Sequence, residues 1–248
     1  MTRRFFKYYT YNKYVLEMLI NSEAWYAKPE SYNDPFDGEF EIVEELTIDE
    51  YLKLFLNVNL GDPKYAAYRD IAASEWGQNQ PRDAINSVKT FLPIYKNIGS
   101  ICLSQNSDSI LMWSHYADQH KGLVVEFDIA SDTPILPVVY EKELTPRRIQ
   151  DVYGCSQNGF IPVAFSKHTD WAYEEEWRIA VDRGNRIGPL PGTIRSILFG
   201  LRMAEETKRT IYSVTKEKYP NLSYKSAIRR GRDIALNFVD YEPFALKE

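Results

Sequence analysis

The chain has 248 residues, of which 44% are hydrophobic and 26% are charged, as in ordinary globular proteins. Its net charge of −5 argues against a broad electrostatic contact with nucleic acid. No segment approaches the ~20 consecutive apolar residues of a membrane span, and the N-terminus does not resemble a secretory signal. The two cysteines, Cys102 and Cys155, suit neither a disulfide framework nor a zinc site. We therefore expect a cytoplasmic protein that does not bind membranes.

The N-terminal segment predicts a strand, a helix and a second strand. "RRFFKYY" has strand character, with Arg4 and Tyr8 on one face and Lys7 on the other. "YNKYVLEMLINS" has helical periodicity, and "AWYAKP" has the length of a strand that ends at a proline. The turn dipeptides of "SYNDPFDGEFE" then predict a loop.

A helical insertion is predicted between about residues 44 and 97. Its first helix begins with a capping box from Thr47 to Glu50, and a further helix starts after Asp62 and Pro63. The apolar spacing of "PRDAINSVKTFLPIYKNI" predicts a third helix, which Pro93 should kink or end.

The second half of the chain is dominated by short apolar runs of strand length. These runs are "SICLS", "LVVEFDI", "ILPVVY", "IPVAFS", "EWRIAV", "SILFG" and "ALNFVDY". A helix in "AEETKRTIYSVTKEKY" interrupts them and is predicted to turn Ile211 and Val214 inward. An earlier helix is predicted in "NSDSILMWSHYADQHKG".

This earlier helix is the one that carries candidate functional residues. Its N-terminal cap is predicted at Ser107 or Asp108. The apolar stripe of Ile110, Trp113 and Ala117 should face the core.

The arrangement of these elements favours an α+β fold. The strands come in runs with helices grouped between them, which indicates a mixed, mostly antiparallel sheet. No internal repeat, low-complexity segment or flexible linker divides the chain. We therefore expect a single domain over residues 1–248, with the helical insertion at about 44–97 in its N-terminal half.

Three consecutive glutamates in "WAYEEEWRIAV" are the first candidates for chemistry. On an extended strand, Glu174 and Glu176 share a face and Glu175 points away. One interpretation is a structural ion pair, in which Arg178 or Lys167 neutralises the two acids. The other is a catalytic Glu-x-Glu, because two close carboxylates cannot both ionise freely and one then tends to hold a proton.

The helix of "WSHYADQHKG" supplies His115, which could act in catalysis or be a hydrogen-bonded helix histidine. Ser114 is a poor nucleophile partner for it, because neighbouring residues on a helix point ~100° apart. His115 and His120 make a weak metal pair, because the i, i+5 spacing does not place both imidazoles on one face.

The first strand combines cations with aromatic rings. Lys7 or Arg4 could bind a pyrophosphate. Tyr8 and Trp171 could form the aromatic floor of a ligand site. A surface hairpin is the structural alternative for this segment.

Several motifs, taken together and in order, resemble a bacterial family catalogued as domain of unknown function 2971. The motifs are "FFKYY", "YNDPFD", "MWSHYADQHKGLVVEFD", "WAYEEEWRI" and "ILFGLRM". They cover most of the chain outside the helical insertion. The resemblance implies no established activity.

The order of parts is also similar, more distantly, to ADP-ribosyltransferase-like folds. In those folds a first strand carries a basic residue, a second supplies Ser or Tyr, and a later strand opens with the glutamate that holds the nicotinamide ribose. The resemblance implies NAD as the cofactor. It implies these three roles, in order, for Lys7 or Arg4, for Ser104 or Tyr26, and for Glu176 with Glu174 as its companion.

The leading hypothesis is an NAD-dependent ADP-ribosyltransferase-like or NAD-glycohydrolase-like protein, of the kind found among bacterial toxins and phage-defence effectors. We expect a small nucleotide as partner, a protein or nucleic acid as acceptor, and no metal. The predicted catalytic residues are Glu176, Glu174 and His115. The predicted NAD-binding residues are Arg4, Lys7, Tyr8, Ser104 and Trp171.

Two alternatives stay open. The first is a metal-dependent hydrolase, such as a nuclease, with ligands from Asp34, Asp37, His115 and Glu126. The second is a non-catalytic module that binds a ligand or a protein, in which His115 and Glu176 are paired buried polar groups.

Overall fold

The computed structural model describes residues 1–39, 41–43, 47–76, 86, 96–148, 165–232 and 235–243. The chain divides into two compact units. Unit 1 consists of Met1–Ala27, Gly99–Val138 and Asp170–Glu248. Unit 2 consists of Lys28–Ile98 and Val139–Thr169. The expectation of a single domain stays a prediction.

The described strands and helices are numbered in chain order. The strands are β1 (Thr2–Tyr9), β2 (Glu23–Tyr26), β3 (Ile42–Val43), β4 (Gly99–Ser104), β5 (Leu123–Ala130), β6 (Leu136–Pro137), β7 (Val139–Glu141), β8 (Arg147–Arg148), β9 (Ser166–His168), β10 (Glu176–Val181), β11 (Arg186–Pro189), β12 (Thr193–Phe199), β13 (Ser223–Ile228) and β14 (Asn237–Asp240). The α-helices are α1 (Lys13–Asn21), α2 (Ile48–Leu56), α3 (Tyr65–Trp76), α4 (Ile110–Tyr116) and α5 (Glu205–Thr215). Two 3₁₀ helices span Pro29–Ser31 and Thr169–Glu174. No helix within the described ranges is long and apolar enough to cross a membrane.

Unit 1 is built on an eight-stranded sheet in the order β14-β13-β12-β5-β1-β4-β10-β6. Neighbouring strands are antiparallel except for β12 and β13, which are parallel. β1 and β4 meet through one bridged pair, Phe6 and Ser104, although β1 pairs with β5 along its whole length. A two-stranded ribbon of β2 and β11 accompanies the sheet. The prediction of an α+β fold with a mixed, mostly antiparallel sheet is confirmed.

Unit 2 contains α2, α3, the first 3₁₀ helix and two pairs of short parallel strands. The predicted capping box is present. The Thr47 hydroxyl accepts from the Glu50 N–H, and the Glu50 carboxylate accepts from the Thr47 N–H. Leu52, Val58 and Ala72 form a small apolar core. The predicted third helix of the insertion falls almost entirely outside the described residues.

One face of the sheet in unit 1 carries the main apolar core. Alternate residues of a strand point to the same face, so the apolar positions of each strand converge on this side. Helix α1 packs on it through Val15, Met18 and Leu19, as its periodicity predicts. Other central members of this core are Phe5, Ile101, Phe127, Ile197 and Phe199.

The opposite face carries polar side chains along one line. Residues that are directly paired in neighbouring strands lie on the same face, so a chain of such pairs forms a row across the sheet. The row crosses β12, β5, β1, β4 and β10 at Ser196, Glu126, Phe6, Ser104 and Glu176. All of these side chains except Phe6 are buried. We call them the polar row.

Helix α4 packs on a second apolar cluster that includes Tyr8 and Trp113. The buried positions of the helix and the turn after it are Met112, Trp113 and Ala117. Ile110 was predicted to be buried, but it is 42% exposed. The prediction was wrong because the helix begins at Ile110, which places this residue on the solvent side of the first turn.

The predicted cap of α4 was also wrong. The cap is Ser109, whose hydroxyl accepts from the Met112 N–H, rather than Ser107 or Asp108. The Asp108 N–H donates to the Asn106 side chain at 2.9 Å, which is a local turn. This turn holds the chain outside helical geometry and delays the start of the helix.

Helix α5 buries Ile211 as predicted, but Val214 is 38% exposed instead of facing inward. Thr215 takes the inward position. Its hydroxyl donates to the Ile211 carbonyl at 2.6 Å and lies 2.7 Å from the Tyr224 hydroxyl. A polar residue is tolerated here because its hydrogen-bonding groups have partners.

The turn after α4 has an unusual backbone. Asp118, Gln119 and His120 have positive φ angles of 45°, 52° and 70°. Left-handed geometry costs a non-glycine residue about 1–2 kcal/mol. Four backbone hydrogen bonds hold the turn: Gln119 N–H to Ser114, His120 N–H to Trp113, Lys121 N–H to Asp118 and Gly122 N–H to Ala117, each to the carbonyl oxygen. The His120 ring also stacks on Trp113, with centroids 6.1 Å apart.

Gly200 packs directly against this turn, and its substitution tests the packing. A Cβ at Gly200 would lie 2.2 Å from the His120 carbonyl oxygen and 2.8 Å from that of Gly122. We expect Gly200→Ala to lower the free energy of unfolding by about 2 kcal/mol or more, because backbone atoms must shift. Gly61→Ala is the control, since its Cβ would meet nothing within 4 Å. Urea denaturation measures both, and equal effects would contradict this account.

Candidate functional site

The three glutamates lie in a tight turn before β10. Glu174 ends the 3₁₀ helix, Glu175 has a φ of 44°, and Glu176 begins the strand. Glu174 and Glu176 are 2% and 5% exposed, whereas Glu175 is exposed. As predicted, Glu174 and Glu176 share one environment and Glu175 points away from it. The prediction of an extended strand through all three was wrong, because the left-handed backbone at Glu175 interrupts it.

Backbone and hydroxyl groups connect this turn to the end of β4. The Ser104 hydroxyl donates to the Glu174 carbonyl at 2.6 Å and accepts from the Asn106 N–H at 3.0 Å. The Gln105 N–H donates to the Glu175 carbonyl at 3.3 Å. Because a serine hydroxyl has one proton, that of Ser104 is committed to the fold. Ser104 therefore positions the glutamate turn.

Glu176 and Arg178 form a buried ion pair with two contacts. Arg178 Nε donates to Glu176 Oε1 at 2.7 Å, and Nη2 donates to Oε2 at 3.0 Å. The side chains are 1% and 6% exposed for Arg178 and Glu176. Parallel contacts of this kind are the strongest arrangement of guanidinium and carboxylate. Lys167, the other predicted partner, lies in unit 2 and contacts Asp37 at 3.6 Å.

Glu174 has a separate partner on helix α4. The Tyr116 hydroxyl donates to Glu174 Oε1 at 2.5 Å. The neighbouring His115 is exposed, and its Nδ1 is hydrogen-bonded to the Tyr173 hydroxyl at 3.0 Å. The rings of His115, Trp171 and Tyr173 lie together, with centroid separations of 6.1 to 6.4 Å. We call these three rings the aromatic triad.

The basic residues of β1 are directed differently from one another. Lys7 donates to the Cys102 carbonyl at 3.0 Å, at the place where β1 and β4 separate. Arg4 lies near the polar row, with its Nε 3.7 Å from Glu126 Oε1, and its side chain is 61% exposed. Tyr8 is buried, and its hydroxyl donates to the Asn106 carbonyl at 2.9 Å. Burial raises the pKa of Tyr8, and nearby Asp108 raises it further, so the phenol stays a donor at neutral pH.

The structure thus brings together part of the predicted set. Glu174, Glu176 and Ser104 meet at the turn before β10. His115 and Trp171 lie in the aromatic triad, which adjoins Glu174 through Tyr116, the neighbour of His115 in sequence. Sequence reasoning missed Tyr116, because its hydrogen bond to Glu174 joins residues 58 positions apart.

Sequence reasoning also missed Ser196, whose hydroxyl donates to Glu126 Oε2. The two residues are directly opposite in β12 and β5. Only the pairing of these strands reveals the contact, so the sequence held no local signal for it.

The predicted metal ligands do not form a cluster. In the part of the chain that the structure describes, no group of three or more His, Cys, Asp and Glu side chains could hold a metal ion. Asp34 Oδ1 accepts from the Phe36 N–H at 3.0 Å, a local turn bond typical of aspartate. Asp37, His115 and Glu126 have the partners described above. The hypothesis of a metal-dependent hydrolase stays a prediction.

Comparison with known proteins bears on the same region. Residues 112–179 match the family model described as protein of unknown function (DUF2971). The resemblance seen in the sequence motifs is therefore confirmed over this stretch. The DUF2971 match runs from α4 into β10, so it contains the glutamate turn and the aromatic triad. No curated protein and no solved structure matches the chain. The likeness to ADP-ribosyltransferase-like folds stays a prediction.

The buried ion pair gives a prediction about stability. We expect Arg178→Met to lower the free energy of unfolding by about 3 kcal/mol or more, because it leaves the Glu176 carboxylate buried without its guanidinium. The double variant Glu176→Gln/Arg178→Met should lose less than the sum of the single losses. Urea denaturation of Arg178→Met, Glu176→Gln and the double variant measures the coupling energy between the two residues.

Arg186→Met is the matched control. Arg186 contacts Asp182 at 3.0 Å, but the side chains are 48% and 84% exposed, so the loss should stay below about 1 kcal/mol. An Arg178→Met variant as stable as Arg186→Met would show that the buried pair does not hold this part of the fold.

Cys102, which lies opposite Arg178 in the sheet, gives a prediction about pH. Desolvation raises the pKa of its thiol from 9.0 to about 12, and the Glu176 carboxylate adds to the rise, although Arg178 and Lys7 oppose it. A raised thiol pKa contributes stability that is fully present below about pH 9 and is lost as the pH rises through about 12. At pH 8 the thiolate fraction should be roughly 1,000-fold below that of the unfolded chain.

Labelling with an aromatic disulfide reagent tests this expectation. In a Cys155→Ser background, Cys102 is the only thiol of the chain. We expect labelling of the folded protein at pH 8 to be at least about 100-fold slower than in urea. Equal rates would contradict the environment described for this thiol.

Proposed function

We propose that the protein binds NAD and cleaves its nicotinamide–ribose bond, with the glutamate turn of unit 1 as the catalytic centre. One observation carries the proposal. Two carboxylates two residues apart in sequence, Glu174 and Glu176, are buried and are held by Tyr116 and Arg178 respectively. They lie next to the aromatic triad. Buried, specifically partnered acids beside aromatic surface are typical of sites that act on small polar substrates.

The chemistry needs a carboxylate that stays ionised. When the nicotinamide–ribose bond breaks, its electron pair leaves with the ring nitrogen, and positive charge develops on the ribose. The contact with Arg178 favours the ionised form of Glu176, which stabilises this charge. Glu174 then accepts the proton of the incoming water or acceptor hydroxyl as the new bond to ribose forms. Tyr116 orients Glu174 for this step.

The five predicted NAD-binding residues differ in what they can offer. Ser104 and Tyr8 each use their one hydroxyl proton on a backbone carbonyl group, and Lys7 donates one hydrogen bond to another. Arg4 is largely exposed and can meet a pyrophosphate, and Trp171 is half-buried and can stack on a ring. We therefore assign substrate contacts to Arg4 and Trp171, and structural support to the other three.

Release of nicotinamide from NAD tests the proposal, with chromatography as the measurement. We expect Glu176→Gln and Glu174→Gln to lower the rate by at least about 100-fold, because each removes a charge used in the transition state. Glu175→Gln is the matched control, since it makes the same change at the exposed middle position and should keep the rate. Thermal unfolding of each variant separates a loss of activity from a loss of fold.

The wild-type protein provides the decisive result. Absence of nicotinamide release, together with no NAD-induced shift of its melting temperature, would end the proposal.

A toxin or phage-defence role requires that expression of the protein depletes cellular NAD, and that expression of Glu176→Gln does not. The products identify the acceptor: free ADP-ribose points to water, and a modified macromolecule points to transfer.

A second candidate function is a non-catalytic module that binds a ligand or a protein. It is favoured by the ion pair itself, because Arg178 contacts both oxygens of Glu176 and neutralises it. The two candidates differ in outcome. A melting shift with NAD but no nicotinamide release favours the module.

A further inference from the structure

We propose that Arg4 of β1 and Arg195 of β12 together form a binding site for a phosphate group. Three observations carry this proposal: the two guanidinium groups are neighbours, a β-bulge brings Arg195 to its place, and the acids that hold both arginines lie beneath them. The proposal deepens the assignment of Arg4 to a pyrophosphate and rests on the proposed function for that assignment. It adds Arg195, and it extends to any ligand that carries a phosphate.

The two guanidinium groups lie beside the same carboxylates. Arg4 Nε is 3.7 Å from Glu126 Oε1 and 4.0 Å from Asp128 Oδ1. Arg195 Nε is 3.9 Å from the same Glu126 oxygen, and Arg195 Nη1 donates to Asp128 Oδ2 at 3.1 Å. Because both Nε atoms adjoin one oxygen atom, the two guanidinium groups are neighbours, although they belong to different strands.

A β-bulge in β12 brings Arg195 to this position. The register shifts between Ile194, which pairs with Phe127, and Ser196, which pairs with Glu126. Arg195 is the extra residue between these two pairs. In a bulge, two residues of one strand oppose one residue of its partner, so Arg195 and Ser196 both lie against Glu126. Bulges are common next to functional sites, where they re-aim a side chain.

The acids lie deeper than the arginines. The side chains of Glu126 and Asp128 are 11% and 22% exposed, whereas those of Arg4 and Arg195 are 61% and 50% exposed. A solute that approaches this face therefore meets guanidinium N–H groups before it meets a carboxylate. The acids also hold the two cations side by side, so little side-chain entropy is lost when a ligand binds.

The hydrogen-bond donors of the two arginines determine the kind of anion. Each guanidinium has five N–H donors. The contacts of Arg4 with the two acids are longer than a hydrogen bond, and Arg195 donates one hydrogen bond to Asp128. A phosphate has enough oxygens to accept from both guanidinium groups, and arginine matches its geometry with paired hydrogen bonds. A carboxylate ligand has two oxygens, which one guanidinium already satisfies.

ADP and adenosine test the proposal, because they share the nucleoside and only ADP carries a pyrophosphate. Isothermal titration calorimetry is performed on the full chain without divalent cations, at constant ionic strength set with potassium chloride. We expect ADP to bind at least about 10-fold more tightly than adenosine. Equal affinities, or no binding of ADP, would overturn the proposal.

Inorganic pyrophosphate distinguishes the two sources of the phosphate group. It should displace ADP, and a failure to do so would also overturn the proposal. Pyrophosphate that binds as tightly as ADP supports a site for free phosphate compounds, and tighter binding of ADP supports a site for nucleotides.

Variants locate the site. Arg195→Gln should weaken ADP binding by at least about 10-fold, because it removes a charge and a pair of donors. Arg195→Lys keeps the charge and should lose less. Arg209→Gln is the matched control, since Arg209 of α5 is 57% exposed and contacts Glu205 at 3.4 Å. An ADP affinity that Arg195→Gln leaves unchanged would refute the assignment.

Arg4→Gln keeps the test decisive if Arg195→Gln does not fold, and it should weaken ADP binding to a similar extent. If the arginines served only to neutralise Glu126 and Asp128, the variants would lower the melting temperature and leave the ADP affinity unchanged, which contradicts the proposal. ADP binding that depends on Arg195, without nicotinamide release from NAD, supports the phosphate site and counts against NAD cleavage. Nicotinamide release with an unchanged KM for NAD in Arg195→Gln does the opposite.

Discussion

The Glu176–Arg178 ion pair imposes the constraint on which the polar face of unit 1 depends. Taking two charges out of water costs several kcal/mol for each ion, and only excellent geometry offsets this cost. The pair also fixes the register of β10 against β4. A slip of one residue would turn both charges toward the apolar core around Ile101 and Leu103, since strand side chains alternate between faces. The position of the whole glutamate turn follows from this register.

Much of the fold was predictable because local periodicity encodes it. The strands of "LVVEFDI" and "EWRIAV", the helix face of Val15, Met18 and Leu19, and the fold class were all predictable in this way. The pairing order was not, because β1 lies beside β5, a strand more than 110 residues later. Errors arose where a distant partner decides burial. Thr215 displaces Val214 from the inward side because the Tyr224 hydroxyl is there to meet it.

The candidate site shows the same division between local and distant causes. Arg178 was predictable as a partner of Glu176, because residues two apart on a strand share a face. The hydrogen bond from Tyr116 to Glu174 joins residues 58 positions apart, so no local pattern contains it. The left-handed backbone of Glu175 was also beyond prediction, since glutamate has no preference for positive φ. Tertiary hydrogen bonds, such as that from Gln105 to Glu175, hold it there.

The sparse contact between β1 and β4 divides the large sheet into two half-sheets that meet at a seam. On one side lie β14, β13, β12, β5 and β1, and on the other lie β4, β10 and β6. The contacts across the seam include one bridged pair, the side-chain hydrogen bonds of Lys7 and Tyr8, and the ring contact of Phe5 with Trp177. We expect local opening of the sheet to begin along this line, because the fewest backbone hydrogen bonds cross it. The polar row crosses this line between Phe6 and Ser104, so an opening there would change the distance from Glu126 to Glu176.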